Sequence, residues 1–100
     1  MEKMTYYLLL YDYADNAVVR RVPFRDDHLN LAREWVEDGR LVLGGAFADP
    51  VDGAILVFKV ESSAIVEEFV KKDPYVAGGL VTRWRIRPWT VVVGSALSEK

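Results

Sequence analysis

The chain has 100 residues, 51% of them apolar, with a formal net charge of −2 and no cysteine. Such a chain can bury about 60–70% of its unfolded surface in one core, and it excludes disulfides, thiolate metal sites and a cysteine nucleophile. The weakly acidic balance creates no field favouring nucleic acid or an anionic membrane, and the longest apolar run, Tyr6 to Tyr11, is too short to cross a bilayer. No signal-peptide pattern precedes that run. The expectation is a cytoplasmic protein with one domain over residues 1–100, a core spanning 5–93 and a frayed tail at 94–100.

Thr5 to Tyr13 reads as a strand rich in tyrosine and leucine. Tyr7, Leu9 and Tyr11 point one way and Tyr6, Leu8 and Leu10 the other, so both faces are apolar. Helices covering one face leave the other bare, and a second copy of the chain is the economical cover, so a homodimer is expected. Asp15 to Pro23 reads as a loop. Asp26 or a neighbour caps a helix running to Asp38, with Gly39 just past its end. Leu31, Ala32, Trp35 and Val36 form its buried stripe, and His28 sits in its first turn beside that stripe.

Arg40 to Ala48 reads as a second strand, interrupted by Gly44-Gly45, a pair that marks a bulge or a close approach to the backbone. The turn Asp49-Pro50-Val51-Asp52-Gly53 leads into a returning strand, Ala54 to Val60. Ser62 or Ser63 caps a second helix that carries Ile65, Val66, Phe69 and Val70 inward. Asp73-Pro74 stops that helix, because proline disfavours helical geometry before it and has no N–H to give. Gly78-Gly79 then turns the chain. In the strand from Leu80 to Pro88, Leu80, Thr82, Trp84 and Ile86 share one face and Val81, Arg83, Arg85 and Arg87 the other. Thr90 to Val93 reads as an apolar tail or edge strand. The order is β-α-β-β-α-β, a ferredoxin-like α+β sandwich with both helices on one face of an antiparallel sheet.

His28 is the only imidazole, and histidine is the side chain suited to moving protons near neutral pH. A helix-start histidine with a satisfied ring nitrogen is the plainer reading. Asp73 is a helix-ending carboxylate on the unfavourable side of the helix dipole, and orienting His28 would explain its presence there. Arg25, three residues before His28, reads as an anion clamp or as an ordinary surface arginine. Gly45 and Tyr75 stand where a ligand would meet the backbone and a phenol, and they join Arg25 as candidate substrate contacts. The arginine stripe of the last strand reads as a solvated or subunit-contacting face. With one histidine and no cysteine there is no metal-ligand spacing, and no phosphate-binding glycine loop, nucleophile elbow or HExxH is present. Neither metal nor cofactor is expected.

The stretch Arg21-Val22-Pro23-Phe24-Arg25-Asp26-Asp27-His28-Leu29 resembles the R-x-x-x-R-x-x-H-L pattern of YCII-related (YciI-like) proteins. Asp38 to Phe47 is similar to their second strand, Asp73 to Leu80 to their D-P-y-v-x-a-G-l turn, and Arg87-Pro88-Trp89 to their closing r-P-w/f. The ordered set covers residues 5–90 and departs at Ala46, where many members carry proline. The resemblance implies a dimeric α+β barrel with a cleft holding a histidine–aspartate dyad, here His28 and Asp73. It also implies acid/base work on small, often aromatic molecules, including elimination of chloride.

The reading that follows is a cofactor-free enzyme of lyase or isomerase type. Its alternative is a non-catalytic binding or accessory module using the same cleft. RNA-recognition modules share the element order, but Gly53 to Phe58 lacks their basic start and paired aromatics, so nucleic acid is not expected.

Overall fold

A computed structural model of the protein describes residues 4–97. Strand β1 spans Thr5–Tyr13, followed by helix α1 (Ala17–Arg20), a 3-10 turn (Val22–Phe24) and helix α2 (Arg25–Glu37). Strands β2 (Leu41–Ala46) and β3 (Gly53–Val60) form a hairpin; helix α3 (Ser63–Lys72), helix α4 (Pro74–Ala77) and strand β4 (Val81–Trp89) follow, then a 3-10 turn over Ser95–Leu97. The strands lie in the order β2-β3-β1-β4 and every neighbouring pair is antiparallel. This is the expected ferredoxin-like α+β arrangement. Among the described residues, no helix is long and apolar enough to cross a membrane.

The alternation of β1 sorts the two sheet faces. Leu9 and Tyr11 are buried under the helices together with Ala54, Leu56, Phe58 and Val60 of β3. The stripe of α3, Val66, Phe69 and Val70, closes on them. Trp35 of α2 meets Phe58 and Phe69 edge to face, with centroids 5.8 and 5.3 Å away, and these three rings are the centre of the core. The Arg40 guanidinium lies 3.6 Å over the Trp35 ring, held there by hydrogen bonds to the Asp38 carboxylate of 2.7–3.1 Å. That pairing holds the Asp38 carboxyl below its usual range.

Several local expectations change. The segment read as a loop contains α1, entered through Asn16 in the left-handed region at φ 62°. Asparagine tolerates that conformation, and a helix of four residues is too short to show a period. Helix α2 starts straight from the 3-10 turn with Phe24 at its N-cap and no side-chain cap; Asp26 and Asp27 lie inside its first turn, where carboxylates still suit the dipole. Neither Ser62 nor Ser63 provides a side-chain cap to α3. Val36 is half-exposed rather than core. Strand β2 ends at Ala46, and Thr90 to Val93 forms no strand. In β4, Arg83 pairs with Asp12 while Val81 pairs with Tyr13, so Thr82 is an extra, bulged residue. The bulge breaks the period: Leu80 and Val81 are both buried, and Thr82 is exposed. Of the tail expected to fray, Ser95–Leu97 forms a turn and residues 98–100 lie outside the described residues.

Gly53 opens β3 against β1. A Cβ there would collide with the carbonyl oxygen of Tyr11 and lie 3.2 Å from the Phe47 ring. Backbone cannot swing aside as a side-chain tip can, so Gly53→Ala should lower stability by about 2–3 kcal/mol. A urea midpoint equal to the wild type would show that the strands can separate freely at this point.

Candidate active site

Asp73 terminates α3 and also caps the short helix α4, its side chain accepting from the Tyr75 backbone N–H at 3.0 Å. Pro74 forces Asp73 into extended geometry, ψ 117°, and itself occupies the first turn of α4. The carboxylate at the wrong end of one helix is thus at the right end of the next. Asp73 is wholly buried. Its Oδ2 accepts from the Tyr11 hydroxyl at 2.6 Å and its Oδ1 lies 2.7 Å from His28 Nδ1.

Two of these contacts come from groups that can only donate to a carboxylate, the Tyr11 O–H and the Tyr75 N–H. The network therefore assigns a proton on His28 Nδ1 to the Asp73 bond, so that in the neutral ring it is Nε2 that carries the lone pair. Nε2 has no partner among the described residues, yet no polar side-chain atom is both buried and unpaired. Nε2 is accordingly open to solvent. The imidazole is held in plane by Tyr75, whose ring stacks on it at 3.8 Å and 6°; Tyr13 meets Tyr75 edge-on at 6.1 Å.

His28 opens onto a cavity of about 320 Å³, at the small end of the range for ligand sites. One face of α2 forms a wall, with Arg25, His28, Leu29, Ala32, Arg33 and Val36 recurring at helical spacing. This is why Val36 lies outside the core. The opposite wall is Leu41, Gly44, Gly45 and Ala46 of β2 with Ala54 and Leu56 of β3, and Arg21, Tyr13 and Tyr75 complete the lining. Gly44 stays small for a reason: a Cβ there would sit 3.1 Å from Leu56 Cγ.

The structure brings together the residues singled out in the sequence. His28, Arg25, Gly45 and Tyr75 line the cavity, and Asp73 sits behind His28 without reaching it. Tyr11, Tyr13, Arg21 and Arg33 were not singled out. A signal for Tyr11 existed: a tyrosine on the covered face of a central strand needs a buried partner for its hydroxyl. Arg21 stands four residues before Arg25 in the stretch that carries the family resemblance.

Burial, reinforced by the Asp73 charge, pushes the Tyr11 phenol far above its usual range. Burial also pushes Tyr13 up to about 12, and it raises Tyr75 against the opposing pull of Arg25 and Arg21. The folded protein thus keeps phenol protons that the unfolded chain releases above pH 10. The stability from this difference is complete below the ordinary tyrosine value and is lost as the pH climbs past it. Tyr11 should supply a slope approaching about 1.4 kcal/mol per pH unit, and Tyr13, which is half-buried, a smaller one. Urea midpoints taken at rising alkaline pH should fall, and Tyr11→Phe should flatten that fall; an equally steep fall in the variant would contradict the assignment.

A family model of the YCII-related domain matches residues 4–90. No curated protein matches the chain. Among solved structures, the fold is similar to that of 5-chloro-2-hydroxyhydroquinone dehydrochlorinase from Burkholderia phenoliruptrix, in complex with 2,5-dihydroxybenzoquinone. The TM-score is 0.73 at 19% identity, over 85% of this chain and 93% of that one. At that identity the likeness speaks for the fold. The family match spans nearly the whole chain and includes the His28 stretch, the glycine strand and the Asp73 turn: the protein belongs to the YCII-related family.

Proposed function

We propose that the protein is a cytoplasmic small-molecule enzyme of lyase or isomerase type, working by proton transfer at His28. The observation that carries this reading is the division of the imidazole. Nδ1 is held by a buried carboxylate, while Nε2 is left open on a cavity. In the reaction, Nε2 takes a proton from a substrate carbon. In an elimination, the C–H electron pair becomes a new double bond as the leaving group departs from the neighbouring carbon with its own pair. In an isomerisation, the same proton returns at another carbon. Asp73 fixes the tautomer and stabilises the imidazolium. Arg25 pairs with substrate charge, and Gly45 and Tyr75 contact its body. The likeness to a dehydrochlorinase supports the elimination variant. The reading uses side chains alone and invokes no cofactor.

Halide release from chlorinated hydroquinones, followed with purified protein, is the first assay. His28→Ala should lower kcat on the order of 10²–10⁴-fold in a chain that still folds, with a lower urea midpoint because buried Asp73 loses one partner. Turnover that survives the substitution removes His28 from the chemistry. Tight binding of the same compounds without conversion would favour a binding module.

We also propose a homodimer joined through the helix-free sheet face. Tyr6, Leu8, Leu10, Leu43, Ile55 and Val57 share that face by alternation and pairing, and Leu43 is 62% exposed. Light scattering should give twice the chain mass, and Val57→Glu should give the single-chain mass. A wild-type monomer at micromolar concentration would end this reading.

A further inference from the structure

Arg21, Arg25 and Arg33 line the cavity, and no aspartate or glutamate does. Among the described residues none of the three forms an ion pair with a carboxylate. Arg33 donates to the neutral amide oxygen of Asn30 at 3.3 Å. In a chain with 15 acidic and 13 basic residues, such a one-signed cavity is a local arrangement that overall composition does not produce. Arg21 and Arg25 both act on the phenols of Tyr13 and Tyr75, so their charge reaches the ring stacked on His28. The remaining wall is largely aliphatic, with Leu29, Leu41 and Leu56 among its residues. A concave apolar wall focuses the field of one-signed charges, and the guanidinium fork matches the paired oxygens of a carboxylate or the single oxygen of a phenolate.

We propose that the cavity selects anions: a small carboxylate or phenolate with a ring-sized apolar body, its charged oxygen held by Arg21 and Arg25. The inference rests on the cavity being the ligand site and is independent of the chemistry assigned to His28. Within that chemistry it adds one element. The clamped anionic oxygen orients the substrate so that a C–H bond faces Nε2, and the C–H electron pair goes into the new double bond as the leaving group departs with its own pair.

The test compares three ligands that share a benzene ring and differ in charge. Benzoate, benzamide and benzamidine are titrated into the full chain by NMR. Benzoate should bind roughly tenfold or more tightly than benzamide and weaken as salt is raised, and benzamidine should not bind. Arg21→Gln and Arg25→Gln should each lower benzoate affinity about tenfold without changing that of benzamide, while Arg25→Lys keeps part of the preference. A urea midpoint confirms that each variant is folded. His28→Ala should keep the preference for benzoate over benzamide. Equal affinity for benzoate and benzamide, no benzoate binding at millimolar concentration, or an undiminished preference after both arginines are replaced would each overturn the inference. Turnover lost in His28→Ala without charge discrimination sinks this inference alone; charge discrimination without turnover sinks the enzymatic reading alone.

Discussion

Asp73→Ala is expected to cost about 3–5 kcal/mol, a large part of the stability of a domain this size. The side chain is fully buried and is met by the Tyr11 hydroxyl, the Tyr75 N–H and His28. Truncation leaves each of these without its partner and opens a void between α3 and the sheet. Unpaired buried donors lose their hydration without recompense, which outweighs the modest net gain the intact bonds provide. Asp73→Asn separates stability from function. The amide keeps the shape: its oxygen can take the Oδ1 place and accept from His28 Nδ1 and the Tyr75 N–H, while its NH₂ takes the Oδ2 place and donates to the Tyr11 hydroxyl, which turns to accept. The negative charge that stabilises the imidazolium formed in the reaction is then gone from behind the ring. Turnover should then fall on the order of 10³–10⁴-fold, with a smaller shift of the urea midpoint than alanine gives. Wild-type turnover in Asp73→Asn would show that the charge of the carboxylate does not assist the base.

Trp35→Ala is the second large effect, about 3–5 kcal/mol. The ring is 2% exposed, meets Phe58 and Phe69 edge to face, and carries Arg40 on its other side. The cavity it would leave is walled by rigid rings that cannot collapse into it, which places the cost at the upper end for its size. Trp35 belongs to the core-facing side of α2, whereas Arg25, Leu29, Arg33 and Val36 belong to the cavity side, with His28, two turns before Trp35, at the border between them. Benzoate affinity, measured below the new urea midpoint, should therefore hold while the midpoint itself drops. A change in affinity with no change in midpoint would mean that the two faces of the helix are not separable in this way.

Much of this arrangement was legible in the chain. Strand β1 has strong β formers on both faces, and its bounds match the structure. The inward stripe of α3, Ile65, Val66, Phe69 and Val70, followed directly from helical spacing. The missed parts share a physical cause: they depend on single residues, which carry no period. Helix α4 was hidden because Pro74 was read as an ending, when the same ring suits a beginning. The Thr82 bulge left no mark in an alternating sequence, since the extra residue is polar and keeps the written pattern intact. In the site, the lone histidine and the Asp-Pro turn were conspicuous; the carboxylate's unfavourable place on the helix dipole pointed to their pairing, and the family resemblance implied it as well. Tyr11 was placed on the correct face, but the bond it makes there could not be read from its own strand. Val36 was apolar and correctly spaced, yet it borders the cavity, because an apolar residue on a helix can serve a binding wall as well as a core.

The bonds at the heart of the site connect positions far apart along the backbone. Tyr11 reaches Asp73 across 62 residues and His28 reaches it across 45. Closing loops of that length must wait until chain entropy has been overcome by the sheet as a whole. A chain that has formed its helices without the sheet still lacks the Tyr11–Asp73–His28 network. Recovery of the site during refolding should accordingly track assembly of the whole sheet.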